Sequence, residues 1–406
     1  MNIFKKIYCR TYQFLIFIAQ RFLSIKEPIL ISNNDSTYEV GKLLKQKNIN
    51  NILLVSDESI TKLGLLDRLI EGLKDNNINF VLYNKIQPNP TIDNVEDGLK
   101  IYKDNHLTAI VCLGGGSVID TSKMIGVRAN NNKPISKFKG ILKVHHSMPL
   151  LIAIPTTAGT GSETTLASVI RDEKTNDKYA INDPHLIPKY AFHDPKLLIN
   201  LPSKITSTTG MDALTHAIES YIGRSNTKKT KKCALTAIKL IHENLYESYI
   251  NPTNLEARKN MLNASFLAGV AFTNAYVGYV HALSHAISGK FNTPHGLANS
   301  IILPYVLKAF GKSIYRKCGQ IYDYIELGDK SKNNEQKTNE LINYIIHLNE
   351  IMNIPNKFDI EVTKIEFDNL INHAYKEANP LYPVPKLFDK SELSNILIQV
   401  IKVKEN

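Results

Sequence analysis

Hydrophobic positions in the first two hundred residues fall into short unbroken runs separated by helical patterns. The runs Asn51-Ile52-Leu53-Leu54-Val55, Phe80-Val81-Leu82-Tyr83 and Ala109-Ile110-Val111-Cys112-Leu113 read as strands buried on both faces. Between them, residues 63–73 and 96–105 carry helical periodicity. Strands alternating with helices predict a parallel sheet covered on both sides. From about Thr206 the period is helical almost throughout, over 211–222, 232–245 and 255–272 and again beyond Pro304. The pattern predicts an N-terminal extension (1–26), an α/β domain (27–200) and an all-helical domain (201–406). The seam falls near Leu201-Pro202, and ligands are expected in the cleft between the halves.

Composition narrows the classes. A chain of 406 residues exceeds what one core usually holds. With 43 % apolar and 21 % charged residues it is not a disordered chain. The four cysteines, Cys9, Cys112, Cys233 and Cys318, show no CxxC spacing. That argues against a thiolate zinc site or a disulfide scaffold and leads to the expectation of a reducing, cytoplasmic setting. The net charge of +11 is uneven: Lys5, Lys6, Arg10, Arg21 and Lys26, with no acid, put +5 in residues 1–26. Few basic residues elsewhere cluster with aromatics, which disfavours a nucleic-acid reader.

Two stretches imitate membrane segments. Residues 11–20 are uncharged but too short for the roughly 20 residues a bilayer span needs. Ala19-Gln20-Arg21-Phe22 offers no small-x-small cleavage site. The N-terminus therefore reads as a basic, aromatic-rich helix that packs on the protein's own body or a partner subunit. A weak contact with an anionic membrane surface is the alternative. Residues 260–289 carry no Lys, Arg, Asp or Glu, yet Asn260, Asn263, Asn274, His281 and His285 would be costly in lipid. That stretch reads as buried helix, not as an anchor.

Leu113-Gly114-Gly115-Gly116-Ser117-Val118-Ile119-Asp120 follows a strand and opens a helix. Glycines there let the backbone approach a diphosphate, and the helix N-terminus offers N–H donors. A second loop of small polar residues, Pro155-Thr156-Thr157-Ala158-Gly159-Thr160-Gly161-Ser162-Glu163, follows another strand and can hold the same diphosphate. Asp57 ends the first strong strand, where a carboxylate accepts from ribose hydroxyls and repels a 2′-phosphate. Its bland reading is a helix N-cap.

Asp212 and His216 stand four apart, as do His281 and His285, and His295 follows in Thr293-Pro294-His295-Gly296. On a helix the i, i+4 spacing puts both side chains of a pair on one face, as ligands of one ion require. Oxygen and imidazole donors without thiolate suit Fe²⁺, Zn²⁺, Mn²⁺ or Co²⁺.

Nucleotide loops and an Asp/His cluster in one chain resemble the iron-containing (group III) alcohol dehydrogenase family, with its dehydroquinate synthase-like fold. The resemblance runs over residues 52–304. It rests on Pro88-Asn89-Pro90-Thr91, the loops at 114–120 and 156–163, residues 210–219, and His281 through Asn299. It implies Asp212, His216, His281 and His295 as ligands of Fe²⁺, with Zn²⁺ or another divalent ion possible. It leaves His285 beside nicotinamide and substrate. It implies NAD binding, with NADP less favoured, by Asn89, Gly115, Gly116, Ser117, Asp120, Thr156, Thr157, Thr160 and Lys178, and by Asp57 as the residue that favours NAD. Ala286-Ile287-Ser288-Gly289-Lys290 departs from the Pro or Gly-Gly of many members, beside the substrate pocket.

The activity so implied is interconversion of a primary, short aliphatic alcohol and its aldehyde, in a homo-oligomer of two or more copies. A lyase of the dehydroquinate synthase type would need Lys and Arg around the metal, against the charge-free stretch that bears His281 and His285. A glycerol dehydrogenase-like polyol enzyme is the other alternative.

Overall fold

The computed structural model describes every residue except 21, 24, 174–176, 405 and 406, and except the side chains of 177 and 178. Among the described residues the α/β part holds nine strands: β1 (Ile29–Ser32), β2 (Asn51–Val55), β3 (Asn79–Tyr83), β4 (Ala109–Gly114), β5 (Gly140–Ile141), β6 (Leu150–Pro155), β7 (Ala167–Asp172), β8 (Asp177–Asn182) and β9 (Tyr190–His193). Helix α1 (Ile3–Gln20) precedes them. Interleaved are α2 (Ser36–Gln46), α3 (Glu58–Lys62), α4 (Asp67–Asp75), α5 (Ile92–Asp104) and α6 (Gly116–Asn130).

Six strands form one sheet in the order β1-β9-β6-β4-β2-β3, every neighbouring pair parallel. The central strands are buried along their length, because helices cover both faces and every side chain must be apolar. Leu53, Val55, Ile110, Cys112 and Ala153 share one core with Val118, Ile119 and Ile125 of α6. The expected helix over 63–73 is instead two: α3 ends at Lys62 and α4 begins at Asp67. Gly64, at φ +69°, takes a left-handed turn between them. A second, three-stranded sheet, β5-β8-β7, contains an antiparallel hairpin that the apolar runs did not announce.

The remaining helices are α7 (Ser203–Ile222), α8 (Lys228–Ile250), α9 (Leu255–Ala275), α10 (Tyr279–Phe291), α11 (His295–Phe310), α12 (Tyr315–Tyr324), α13 (Asn334–Ile351), α14 (Lys364–Ala378) and α15 (Lys390–Leu397). The chain forms two compact units. One comprises Ser24–Leu201 with Pro252–Phe266; the other comprises Pro202–Asn251 and Leu267–Asn406 together with Met1–Leu23. Helix α1 thus belongs to the helical unit. Its Cys9 and Gln13 are buried. Gln13 donates its amide to the carbonyls of Pro380 and Tyr382 at 2.9 and 2.7 Å. Arg10 donates to those of Val384 and Pro385 at 2.8 and 3.1 Å.

Among the described residues no single helix is long and apolar enough to cross a membrane. Helices α9 and α10 pass that test only as a pair bent by 103°. Within the charge-free stretch, His281, Leu283 and Ile287 are buried in protein.

Candidate active site

Helix α7 supplies Asp212 and His216, α10 supplies His281, and α11 opens with His295. One ligand atom from each of the four lies within 4.8 Å of all the others. Measured from Asp212 Oδ1, the distances are 4.0 Å to His216 Nδ1, 3.9 Å to His281 Nε2 and 3.6 Å to His295 Nε2. Donors around an ion with bonds of about 2.1 Å stand roughly 3.4 Å apart, so modest contraction closes the set. A residue without a side chain brings α11 this close: a Cβ on Gly296 would lie 2.4 Å from the Thr208 carbonyl of α7. His216 stacks between Phe272 and His281, with ring centroids 4.2 and 4.5 Å away.

Residues not singled out from the sequence complete the cluster. Glu219 is buried and accepts three hydrogen bonds: from the N–H groups of Gly278 and Val280, each at 2.8 Å, and from His281 Nδ1 at 2.6 Å. Burial lifts its pKa to about 7 against the pull of those donors. Burial, then the neighbouring His216, His295 and His285, keep His281 neutral well below its ordinary 6.5. With Nδ1–H committed to Glu219, His281 presents its Nε2 lone pair toward Asp212, the atom with which it would ligate a metal. The contact is tight, because a Cβ on Gly278 would lie 2.6 Å from Glu219 Oε1. Asn299, one turn after His295, directs its amide nitrogen at Asp212 Oδ1 (2.7 Å) and at Nε2 of His281 and His295 (both 3.1 Å). Glu219 stands seven residues after Asp212, and Asn299 four after His295, so the helical period that pairs the ligands also pointed at both.

His285 lies one turn beyond His281, outside the four-donor group. Its ring stacks on His295 at 5.0 Å. Its Nδ1 meets Glu377 Oε1 of α14 at 2.6 Å, and the Tyr382 hydroxyl donates to the same oxygen at 2.7 Å. Burial acts to raise the Glu377 pKa, but His285 and these hydrogen bonds outweigh it and leave the carboxyl below its ordinary range. No sequence spacing links positions 285 and 377.

In the α/β unit, Gly115 caps α6 with no side-chain cap, leaving the helix N-terminus open to a ligand. A Cβ on Gly116 would lie 3.1 Å from Thr160 Cγ2 and 3.4 Å from Ser162 Oγ, so the two loops converge. Ser117, Thr157 and Thr160 are half-buried there, and Thr156 is buried. Lys123, fully buried on α6, donates to Thr165 O and Oγ1, both at 2.9 Å, and to Ala167 O at 2.7 Å, fastening the chain just beyond the second loop. Asp120 is also buried; its Oδ2 accepts from Val169 N–H at 2.9 Å, which braces α6 on β7. Asp57 caps α3 through Oδ1, which accepts from Ile60 N–H at 2.9 Å. Asn89 holds a left-handed turn at φ +59° between two prolines. Lys178 falls on β8, but its side chain lies outside the described residues.

Comparison with known proteins agrees with this geometry. The profile "Iron-containing alcohol dehydrogenase" matches residues 28–195, and "Fe-containing alcohol dehydrogenase family, C-terminal" matches 206–401. "Alcohol dehydrogenase 4" of Schizosaccharomyces pombe is 37 % identical over 350 residues, covering 85 % of this chain and 82 % of that one. "NAD-dependent methanol dehydrogenase" of Bacillus methanolicus is 37 % identical over 279 residues, 69 % of this chain and 73 % of that one. A crystal structure of 1,3-propanediol oxidoreductase superposes with a TM-score of 0.88 at 30 % identity, covering 93 % of this chain and all of that one. Matching profiles over both halves, relatives across most of the length and a shared fold around one Asp/His cluster give a single conclusion: this chain belongs to the iron-containing alcohol dehydrogenase family.

Proposed function

We propose that the protein interconverts a primary, short aliphatic alcohol and its aldehyde by hydride transfer to and from NAD, with Fe²⁺ held by Asp212, His216, His281 and His295. The observation that carries this reading is the donor set: one carboxylate and three imidazoles within 4.8 Å of one another, with no thiolate. Such a set suits Fe²⁺ or Zn²⁺, and iron's tolerance of more than four ligands leaves a position for substrate. A divalent ion there supplies a Lewis acid for the alcohol or carbonyl oxygen, and the nicotinamide supplies the hydride acceptor.

The chain's own groups do the rest. Glu219 orients His281, and Asn299 directs its amide at Asp212. A bound nicotinamide would take the hydride in alcohol oxidation, which leaves the hydroxyl proton for the chain's own groups to move. His285 accepts it at Nε2 while Nδ1–H stays anchored on Glu377, then passes it to water. The backbone of Gly115, Gly116 and Ser117 and the hydroxyls of Thr156, Thr157 and Thr160 would hold the diphosphate; Asn89 and Lys178 would complete the nucleotide contacts, and Asp120 braces α6, which the first loop opens, on β7. The carboxylate of Asp57 would accept from the ribose hydroxyls of NAD and would repel a 2′-phosphate. The NAD dependence stated in the name of the Bacillus methanolicus relative supports that preference. The absence of Asp, Glu, Lys and Arg over 260–289 supports an aliphatic substrate.

Anaerobic purification followed by metal analysis and an NADH-linked assay over a panel of aldehydes tests the proposal. Stoichiometric iron with NADH-dependent reduction of short aldehydes is expected. A metal-replete protein inactive on every aldehyde and alcohol would end it.

A further inference from the structure

Helix α1 is built inside out. Two of its polar groups face the protein: Gln13 and Arg10 bond to the carbonyls of residues 380–385, and Cys9 is buried beside them. Tyr12, Ile16 and Phe17 are half-buried on that side, and the other apolar positions face away. Phe4, Ile7, Tyr8, Phe14, Leu15 and Ile18, at separations of three, four, seven and eleven, form one continuous stripe over the length of the helix. All are exposed, Phe4 at 79 % and Phe14 at 61 %. A contiguous apolar face of this kind, held outward by a specific polar attachment, marks an interaction surface.

The charge around the stripe selects the occupant. Lys5 and Lys6 are exposed on α1, and Lys390 is exposed on the neighbouring segment. Lys5 and Lys390 lie over the same Tyr375 ring, 4.6 and 5.8 Å from its centre, which places them together. The nearby acids are already paired: Asp389 with the N-terminal ammonium at 2.7 Å, and Glu392 with Lys386 at 2.8 Å. Residues 1–26 contain no acid at all. Two copies meeting through this face would bring two such lysine sets together, which like-charge repulsion opposes. An anionic lipid surface meets both features at once, taking the aromatic stripe into its acyl boundary and the lysines at its headgroups. No single described helix is long and apolar enough to cross a membrane, so the contact lies along the surface.

We propose that α1 docks the folded protein onto an anionic membrane surface, Phe4 and Phe14 inserting and Lys5 and Lys6 engaging the headgroups. The test is flotation of the full-length protein with vesicles of neutral phosphatidylcholine, or of the same lipid with about 30 % phosphatidylserine. Binding to the anionic vesicles alone is expected, weakened at about 0.5 M salt, where the screening length falls to a few ångströms. The exposed double substitution F4S/F14S should reduce binding at least roughly tenfold, and K5E/K6E should abolish the preference for anionic lipid. Circular dichroism and NADH-linked activity should not change in either variant. Absence of flotation, or binding untouched by F4S/F14S, would overturn the proposal. If light scattering instead shows that F4S/F14S breaks an oligomer while the parent ignores vesicles, the stripe is a contact between copies and the lipid assignment is wrong.

Discussion

Glu219 Oε2 lies 2.6 Å from Nδ1 of His281, inside a carboxylate site that also takes two backbone N–H groups at the start of α10. All three partners are donors, so a carboxylate satisfies them and an amide cannot. Glu219→Gln turns an NH₂ toward a donor and removes the group that fixes the imidazole tautomer. Iron affinity, read by competition with a chelator, should fall by about 10–100-fold, the usual effect of losing such a partner. An unchanged affinity would mean that Glu219 only packs.

Removing a ligand itself should be more severe. Asp212→Ala and His281→Ala should each lose most bound metal and nearly all dehydrogenase activity, with the circular dichroism of the parent retained. Metal analysis decides it: full occupancy in either variant removes that residue from the ligand set.

Asp57 both caps α3 and, by the proposal, repels the 2′-phosphate. Asp57→Asn separates the two, because asparagine is an equally good cap but carries no charge. The ratio of kcat/KM for NADPH to that for NADH should rise while thermal stability stays within about 0.5 kcal/mol. A parent enzyme that already prefers NADPH would show the assignment to be wrong.

His285 and Glu377 should act as a pair. His285→Ala should keep its metal and bind NADH yet slow alcohol oxidation by roughly 10²–10⁴-fold, the range of a general acid–base group, most severely near neutral pH. Glu377→Gln should lower kcat more than it raises KM and shift the pH–rate profile, because it alters the imidazole through Nδ1. Parent-like profiles in both variants would leave His285 a packing residue.

Lys123 fills three acceptors with its three ammonium protons, and burial lowers its pKa from 10.5 to about 8. Lys123→Met leaves buried carbonyls without donors and should destabilise the α/β unit by about 1–3 kcal/mol. The unfolded chain holds this proton up to its ordinary pKa, whereas the folded chain releases it near 8. The parent therefore gains stability from this group as pH rises from about 8 toward 10.5, and the variant does not. The stability gap between the two, measured by denaturant titration, should widen from pH 7 to pH 9.5; a gap that narrows refutes the linkage.

What the sequence disclosed was what repeats locally. Strands 51–55 and 109–113 were legible because burial on both faces demands unbroken apolar runs. Asp212 with His216, and His281 with His285, were legible because a helical turn puts i and i+4 on one side. The hairpin of β7 and β8 escaped because burial alternates along β7 but residue type does not follow it: Ser168 is buried while Val169 beside it is not. Glu377 escaped for a different reason: it reaches His285 across ninety-two positions, and only packing of α14 on α10 brings them together. The inverted amphipathicity of α1 was hidden as well. Periodicity locates an apolar stripe but does not tell which side of the helix the protein will hold.

Gly278 and Glu219 leave each other no room. Any side chain at 278 would force the acid back, and a shorter acid at 219 would lose its reach to His281. The two positions are therefore locked as a pair, and neither can drift alone without disturbing the His281 end of the metal site. Across homologues they should be inherited together or replaced together. A library that randomises position 278 with Glu219 fixed should return glycine almost alone among metal-loaded clones.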